Sequence, residues 1–229
     1  MLNWLRDRLL RKLTRESLDP LVARWATEER TLDLGCGSSR YAKHFPNRVA
    51  VDNQMRPGVH VVADAHFLPF KSEMFEVVLC TEMLEHVFSP HNVILEIRRV
   101  LKTLGNLLLS TRFVYPIHDA PYDFYRFTKY GLRYLLRDYE VRELRPELDT
   151  VATYAALAQR IAFQTDLRGG KMMRGVVLAL AHAVRASRGV IKREYGDINR
   201  DREEEQIMAS GYFVVARKQR REDDSGGTP

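Results

Sequence analysis

Apolar positions along this chain follow two periods. Short apolar-rich runs, several ending at a glycine or an acid, recur at 31–34, 48–52, 59–62, 75–80 and 107–111. Each has the length and the β-branched content of a strand buried on both faces. Between the fourth and fifth runs, Val93, Ile94, Ile97, Val100 and Leu101 fall on one face of a helix that runs to Lys102. A shorter helix is predicted over 41–45, closed by Pro46 and Asn47. Ahead of the first run, Leu2, Leu5, Leu9 and Leu13 predict an amphipathic helix over 2–15. Asp19-Pro20 then reads as an N-cap and first position of a second helix through Trp25. Strands alternating with helices imply a doubly wound, mostly parallel α/β sheet.

In such sheets ligands bind beyond the carboxyl ends of the strands. The first strand runs into Gly35-Cys36-Gly37, a turn in which glycine lets backbone take positive φ and approach a ligand closely. A helix starting at Ser38 would add unpaired N–H groups and a partial positive charge. Asp52 closes the second strand, 15 residues beyond Gly37, where a carboxylate can accept bonds from both hydroxyls of a ribose. Asp64 closes the third strand and Glu82 follows the fourth.

Five motifs stand in order: Asp33-Leu34-Gly35-Cys36-Gly37; Asp52; Asp64-Ala65 with Leu68-Pro69-Phe70; Leu84-Glu85-His86-Val87; and Glu96-Ile97-Arg98-Arg99-Val100-Leu101-Lys102. The set resembles a class I S-adenosylmethionine-dependent methyltransferase of the methyltransferase type 11 domain group, over about 30–145 and again over 211–218. The resemblance implies a Rossmann-like seven-stranded sheet with an antiparallel last strand; 139–144 and 212–217 fit as the sixth and seventh strands. It implies S-adenosylmethionine as cofactor. The turn at Gly35, Cys36 and Gly37 would face its methionine part, with Asp33 near the amino group. Asp52 would hold the ribose, Asp64 the adenine amine with Ala65 against the ring, and Glu82 and Met83 would line the pocket. Ser39 stands where many relatives have a third glycine, Thr103-Leu104-Gly105 replaces Pro-Gly-Gly, and Glu76 replaces aspartate. A nicotinamide dehydrogenase is disfavoured by Arg40, where its turn wants glycine or alanine. A non-catalytic S-adenosylmethionine-binding subunit would carry the same cofactor motif.

The segment 115–128 follows the fifth strand and is rich in aromatic residues. Tyr115, His118, Asp119, Tyr122, Asp123 and Arg126 are its acceptor-binding candidates. His118 is the candidate general base and His86 a weaker one. The plainer reading makes Asp123 and Arg126 an internal ion pair and Thr128 a helix cap. A similar signature in methyltransferases of glycan and envelope-lipid assembly suggests a small-molecule, sugar or lipid-linked glycan acceptor, methylated at oxygen. No metal ligand set is expected.

Charge singles out one further segment. The 229 residues carry a net charge of +6, yet 160–193 alone holds eight Lys and Arg against Asp166. This stretch lies in a helical insertion, 150–208, between the sixth and seventh strands. Met172, Met173, Val176, Val177, Leu180, Ala183, Val184 and Ile191 suit an apolar face there. The insertion reads either as a two-helix cap or as a peripheral contact with anionic lipid at the inner face of the membrane. Nucleic acid is disfavoured, because no reading module accompanies the basic residues. The expected organisation is N-terminal helices over 1–29, a methyltransferase domain over 30–218 and a disordered tail over 219–229. Two cysteines and no apolar run long enough to span a bilayer make the cytoplasm the default compartment.

Overall fold

The structure is a computed structural model and describes residues 12–220. The predicted helix over 2–15 and the tail therefore lie mostly outside the described residues. The first described helix, α1 (Leu13–Ala23), carries Pro20 within it, so the expected helix start at Asp19-Pro20 is not found. An interior proline costs about 3 kcal/mol. Burial of Leu13, Leu18 and Val22, all fully enclosed, contributes about 1.5–3 kcal/mol each and outweighs that cost.

The chain divides into two compact units. One comprises, among the described residues, Leu21–Arg112, His118–Arg145 and 212–220, and is built around a seven-stranded sheet. Its strands are β1 (Thr31–Leu34), β2 (Arg48–Asp52), β3 (Val61–Val62), β4 (Phe75–Thr81), β5 (Leu101–Arg112), β6 (Tyr139–Pro146) and β7 (Gly211–Lys218). The order is β3-β2-β1-β4-β5-β7-β6. The β1–β2, β1–β4, β2–β3 and β4–β5 pairs are parallel. At the far edge the direction reverses: Lys218 Nζ and Arg217 Nε, at the end of β7, reach the carbonyls of Leu101 and Leu104, at the start of β5. Every residue of β1 is buried, as is nearly all of β4 and β7, in keeping with strands covered on both faces. Helix α2 (Pro90–Val100) turns Val93, Ile94, Ile97 and Val100 inward, while α3 (Lys129–Leu135) is capped by Thr128, whose Oγ1 accepts from Gly131 N at 3.0 Å.

Two of the sequence motifs form a single hydrogen-bond network. Glu96 Oε2 accepts from Leu68 N, and the Arg99 guanidinium donates to the carbonyls of Leu68 and Phe70 and to Glu96. The loop after β3 is thereby pinned to α2.

The other unit comprises, among the described residues, 12–20, Phe113–Ile117 and Pro146–Gly211. It contains α4 (Thr150–Gln164), capped by Asp149, and α5 (Gly170–Ala186). Leu13, Leu148, Ala152, Ala155 and Ala156 form its small core. Helix α5 buries only Leu178 and Ala181, leaving Met172, Val176, Leu180 and Val184 exposed. Some basic residues here are paired, Arg185 with Glu16 at 2.5 Å and Arg193 with Glu203 at 3.1 Å. No described helix is long and apolar enough to cross a membrane.

Candidate active site

The strand order places a switch point between β1 and β4, whose neighbours continue in opposite directions along the sheet. The turn after β1 sits there. Gly35 has φ +69° and Gly37 φ +51°. A Cβ on Gly35 would lie 2.5 Å from Met83 Cγ, in the loop after β4, so the residue is excluded from carrying a side chain twice over. A Cβ on Gly37 would meet nothing within 4 Å. The exits of β1 and β4 thus touch at Gly35, while open space begins at Gly37.

The predicted helix after this turn is not formed. Residues 37–41 make successive turns, Ser39 takes φ +54°, and only a 3-10 turn, Ala42–His44, follows. Ser39 in left-handed backbone interrupts a segment already limited to a few residues by Pro46. The turn's amides are not available either. Gly35 N and Cys36 N both donate to Val51 O, and Gly37 N donates to Asp52 Oδ2 at 3.0 Å. What the turn offers a ligand is close backbone approach and carboxylates, not a ring of unpaired N–H groups.

Asp52 also accepts from Gln54 N at 3.1 Å, so one bond reaches each oxygen. A carboxylate has about four acceptor positions, which leaves capacity for two further donors. Asp33 is buried beside Arg48, whose Nε stands 3.5 Å from Oδ2. Burial pushes the Asp33 carboxyl up to about 6, against the pull of the Arg48 guanidinium. Asp64 Oδ1 accepts from the backbone and ring of His66, whose ring stacks on Phe88 at 4.0 Å. These bonds lower the Asp64 carboxyl below its usual range. Ala65 follows in the same loop.

The exits of β4 and β5 carry a second set of groups. Glu82, at φ +52°, pairs with the buried Arg112 at the end of β5. A 3-10 turn, Leu84–His86, follows, and within it Glu85 is fully buried. Thr111 Oγ1 donates to Glu85 Oε2 at 2.7 Å, and the Glu85 carbonyl accepts from Phe124 N and Tyr125 N. The loop after β5 is therefore fastened across the end of β4. It brings His118 against His86, with ring centroids 4.6 Å apart. Asp123 accepts from His118 N and from both terminal nitrogens of Arg126, which holds its carboxyl down at about 2.

The structure therefore gathers His86, His118, Asp119, Tyr122, Asp123 and Arg126 into one cluster. Asp119 Oδ2 lies 3.9 Å from His86 Nε2, and the Tyr122 carbonyl 2.7 Å from His86 Nδ1. Tyr115 belongs to the other unit, where Arg160 stands over its ring at 5.0 Å. Sequence reasoning missed Glu85, Arg48 and Arg112 as participants. Glu85 had a signal, since an acid inside an otherwise apolar Leu84–Val87 motif must find partners when buried.

The fold, the glycine turn at its switch point and the strand-end acid define a doubly wound domain suited to a nucleoside-bearing cofactor. Residues 32–109 match the family described as methyltransferase domain. Over those residues, about a third of its length, the chain is similar to S-adenosylmethionine-dependent methyltransferases. Among curated relatives, it is 35% identical over 89 residues to an uncharacterised protein of Methanocaldococcus jannaschii, covering 35% of this chain and 43% of that one. It is 30% identical over 145 residues to the ubiquinone biosynthesis O-methyltransferase of Pseudomonas aeruginosa, covering 52% and 60%. The chain thus spans only about half the length of these relatives. Of solved structures, the [4+2]-cyclase SpnF superposes with TM-score 0.55 at 18% identity, over 90% of this chain and 80% of that one. A Burkholderia thailandensis 1,6-didemethyltoxoflavin-N1-methyltransferase with bound S-adenosylhomocysteine gives 0.53 at 16%, over 91% and 79%. At such identities these structures speak to fold alone.

Proposed function

We propose that this chain transfers a methyl group from S-adenosylmethionine to an oxygen of a small-molecule, sugar or lipid-linked glycan acceptor. The observation that carries the reading is the switch-point turn, where left-handed Gly35 packs on Met83 and Gly37, tied to Asp52, borders open space. S-adenosylmethionine, when bound, supplies a methyl already activated on a sulfonium. The chain's own work is then to bind, orient and manage a proton. Asp52 accepts bonds from the ribose hydroxyls, Asp33 faces the methionine ammonium, and Asp64 meets the adenine amine above Ala65. Cys36 and Glu82 complete the wall, with Met83 packed beside them. The acceptor lies on the loop after β5, against Asp119, Tyr122 and the Asp123–Arg126 pair, and gives up its hydroxyl proton at the His86–His118 pair. Aligning the two reactants can supply roughly 7–11 kcal/mol of the barrier.

Calorimetry with S-adenosylhomocysteine tests the cofactor assignment. The expected outcome is binding by wild type, no binding of NAD, and roughly 100-fold weaker binding by Asp52→Ala, as the loss of two charge-assisted bonds predicts. Folded protein that ignores S-adenosylhomocysteine would sink the reading. The printed name of the P. aeruginosa relative, an O-methyltransferase, supports oxygen as the attacking atom. That a cyclase shares the fold favours a second reading, a cofactor-binding module without methyl transfer. Release of labelled methyl groups to envelope extracts separates the two.

The exposed apolar residues of α5, set among the exposed Lys171 and Arg174, support peripheral contact with anionic lipid. Vesicle co-sedimentation at low salt should show binding that rises with the anionic lipid fraction. Equal recovery in the supernatant with and without vesicles would remove the membrane from the proposal.

A further inference from the structure

Glu85, His86 and His118 present a carboxylate oxygen and two imidazole nitrogens within 4.8 Å of one another. Glu85 Oε1 is buried and accepts no hydrogen bond, although its partner oxygen is satisfied by Thr111. An unpartnered carboxylate oxygen inside a protein is costly, and a fold keeps one where something else meets it. His86 Nε2 stands 3.9 Å from it and His118 Nε2 3.8 Å. These separations are too long for hydrogen bonds, which close at roughly 2.7–3.2 Å. Ligand atoms around a Zn²⁺-sized ion, bound at roughly 2.0–2.2 Å, stand roughly 3–3.5 Å apart, which small side-chain movements would reach.

The His86 tautomer favours the same reading. A carbonyl oxygen only accepts, so the 2.7 Å contact between His86 Nδ1 and Tyr122 O puts the hydrogen on Nδ1. His86 then carries its lone pair on Nε2, the nitrogen nearer Glu85. His118 Nδ1 stands 3.5 Å from an Asp123 carboxylate oxygen. Metal-binding histidines are commonly held this way, by a carbonyl or carboxylate on the far nitrogen.

We infer that Glu85, His86 and His118 bind a first-row divalent cation such as Zn²⁺ or Mn²⁺, with open positions for a hydroxyl of the acceptor. Two imidazoles and one carboxylate suit these ions better than Mg²⁺ or Ca²⁺, which prefer oxygen. Resting on the methyl-transfer reading, the ion makes His118 a ligand rather than a base. An acceptor hydroxyl on the cation loses its proton to solvent at neutral pH. Its oxygen forms the new O–CH₃ bond as the S–CH₃ bond breaks, and that electron pair stays on sulfur.

The test uses the full, tag-free chain freed of metal by chelator. Co²⁺ uptake is followed by visible absorption and Zn²⁺ uptake by calorimetry, with S-adenosylhomocysteine binding measured on the same samples. Wild type should take up one equivalent. His86→Ala and His118→Ala should each weaken uptake by roughly 100-fold or more, since even outer partners of metal ligands cost 10–100-fold, and both should keep S-adenosylhomocysteine affinity. Wild type that binds S-adenosylhomocysteine but no cation would overturn the metal site, as would alanine variants that bind the cation as tightly as wild type. Cation uptake without S-adenosylhomocysteine binding would uphold the site and remove the methyl-transfer reading instead.

Discussion

In the turn after β1 the local donors are already used: the amides of Gly35, Cys36 and Gly37 are bonded to Val51 and Asp52, and Asp52 holds two backbone donors. In the cluster after β4 and β5, a fully buried carboxylate keeps an oxygen without a hydrogen bond, and two histidines face it from beyond bonding distance. The first region is a finished piece of backbone that receives a ligand by shape and by spare acceptor capacity. The second is unfinished and needs another component. A preformed backbone cradle suits a ligand that never varies, such as a cofactor. A side-chain cluster on a loop can change its chemistry without disturbing the sheet, and that suits the variable half of the reaction.

The sharpest way to break this contrast is at the glycines. Gly35→Ala places a methyl group 2.5 Å from Met83 Cγ in backbone at φ +69°. It should abolish measurable S-adenosylhomocysteine binding and lower the melting temperature markedly. Gly37→Ala meets no neighbour, so its cost to the unliganded protein should be the left-handed penalty alone, about 1–2 kcal/mol. It should nevertheless weaken S-adenosylhomocysteine by roughly tenfold or more, a loss of about 1.4 kcal/mol, because the added methyl enters the space the ligand fills. Calorimetry and thermal unfolding on both variants read the difference. If Gly37→Ala binds as wild type does, the open space is not the cofactor's.

The sheet was legible because its strands are short apolar-rich runs, several ending in glycine or acid, a pattern that two-sided burial explains. Four of the five ordered motifs lie at or just beyond the exits of β1 to β4, while Glu96–Lys102 lies in α2 and runs into the start of β5. The 3-10 turn in place of a helix after Gly37 was not legible. It depends on Ser39 entering left-handed backbone, where its Oγ donates to Gly58 O at 3.3 Å, a contact 19 residues away. Glu85 was hidden by distance in the same way. Its partners, Thr111 and His118, are 26 and 33 residues on, and only the pairing of β4 with β5 brings them together. Local pattern reports what backbone and burial require; it does not report which side chains meet across strands.

Protons distinguish the two regions on a smaller scale, with opposite signs. Asp33, in the first region, has its carboxyl raised from 3.8 to about 6, mainly by burial. The folded state then binds the proton more tightly than the unfolded state does, so this group's contribution falls as pH rises from about 4 to about 6. At pH 7 the ionised carboxylate costs on the order of 3 kcal/mol relative to its protonated form. Asp33→Asn should therefore raise the melting temperature at pH 7 and leave it little changed at pH 4. It should also weaken S-adenosylhomocysteine if Asp33 faces the ammonium. Asp123, in the second region, has its carboxyl lowered to about 2, first by the Arg126 hydrogen bonds. Its contribution is present above about pH 4 and is lost as pH falls toward 2. The Arg126 side chain is partly exposed, and discounting for solvent leaves about 1–2 kcal/mol. Asp123→Asn should lower stability at pH 7 by that amount, flatten the acid limb, and slow methyl transfer while S-adenosylhomocysteine affinity stays at the wild-type value. Thermal unfolding of the three proteins across pH 2.5–7.5, with binding measured at pH 7, checks both signs at once. A stabilised Asp123→Asn, or an Asp33→Asn whose stability tracks wild type at every pH, would mean that the carboxylates are not held as their neighbours require.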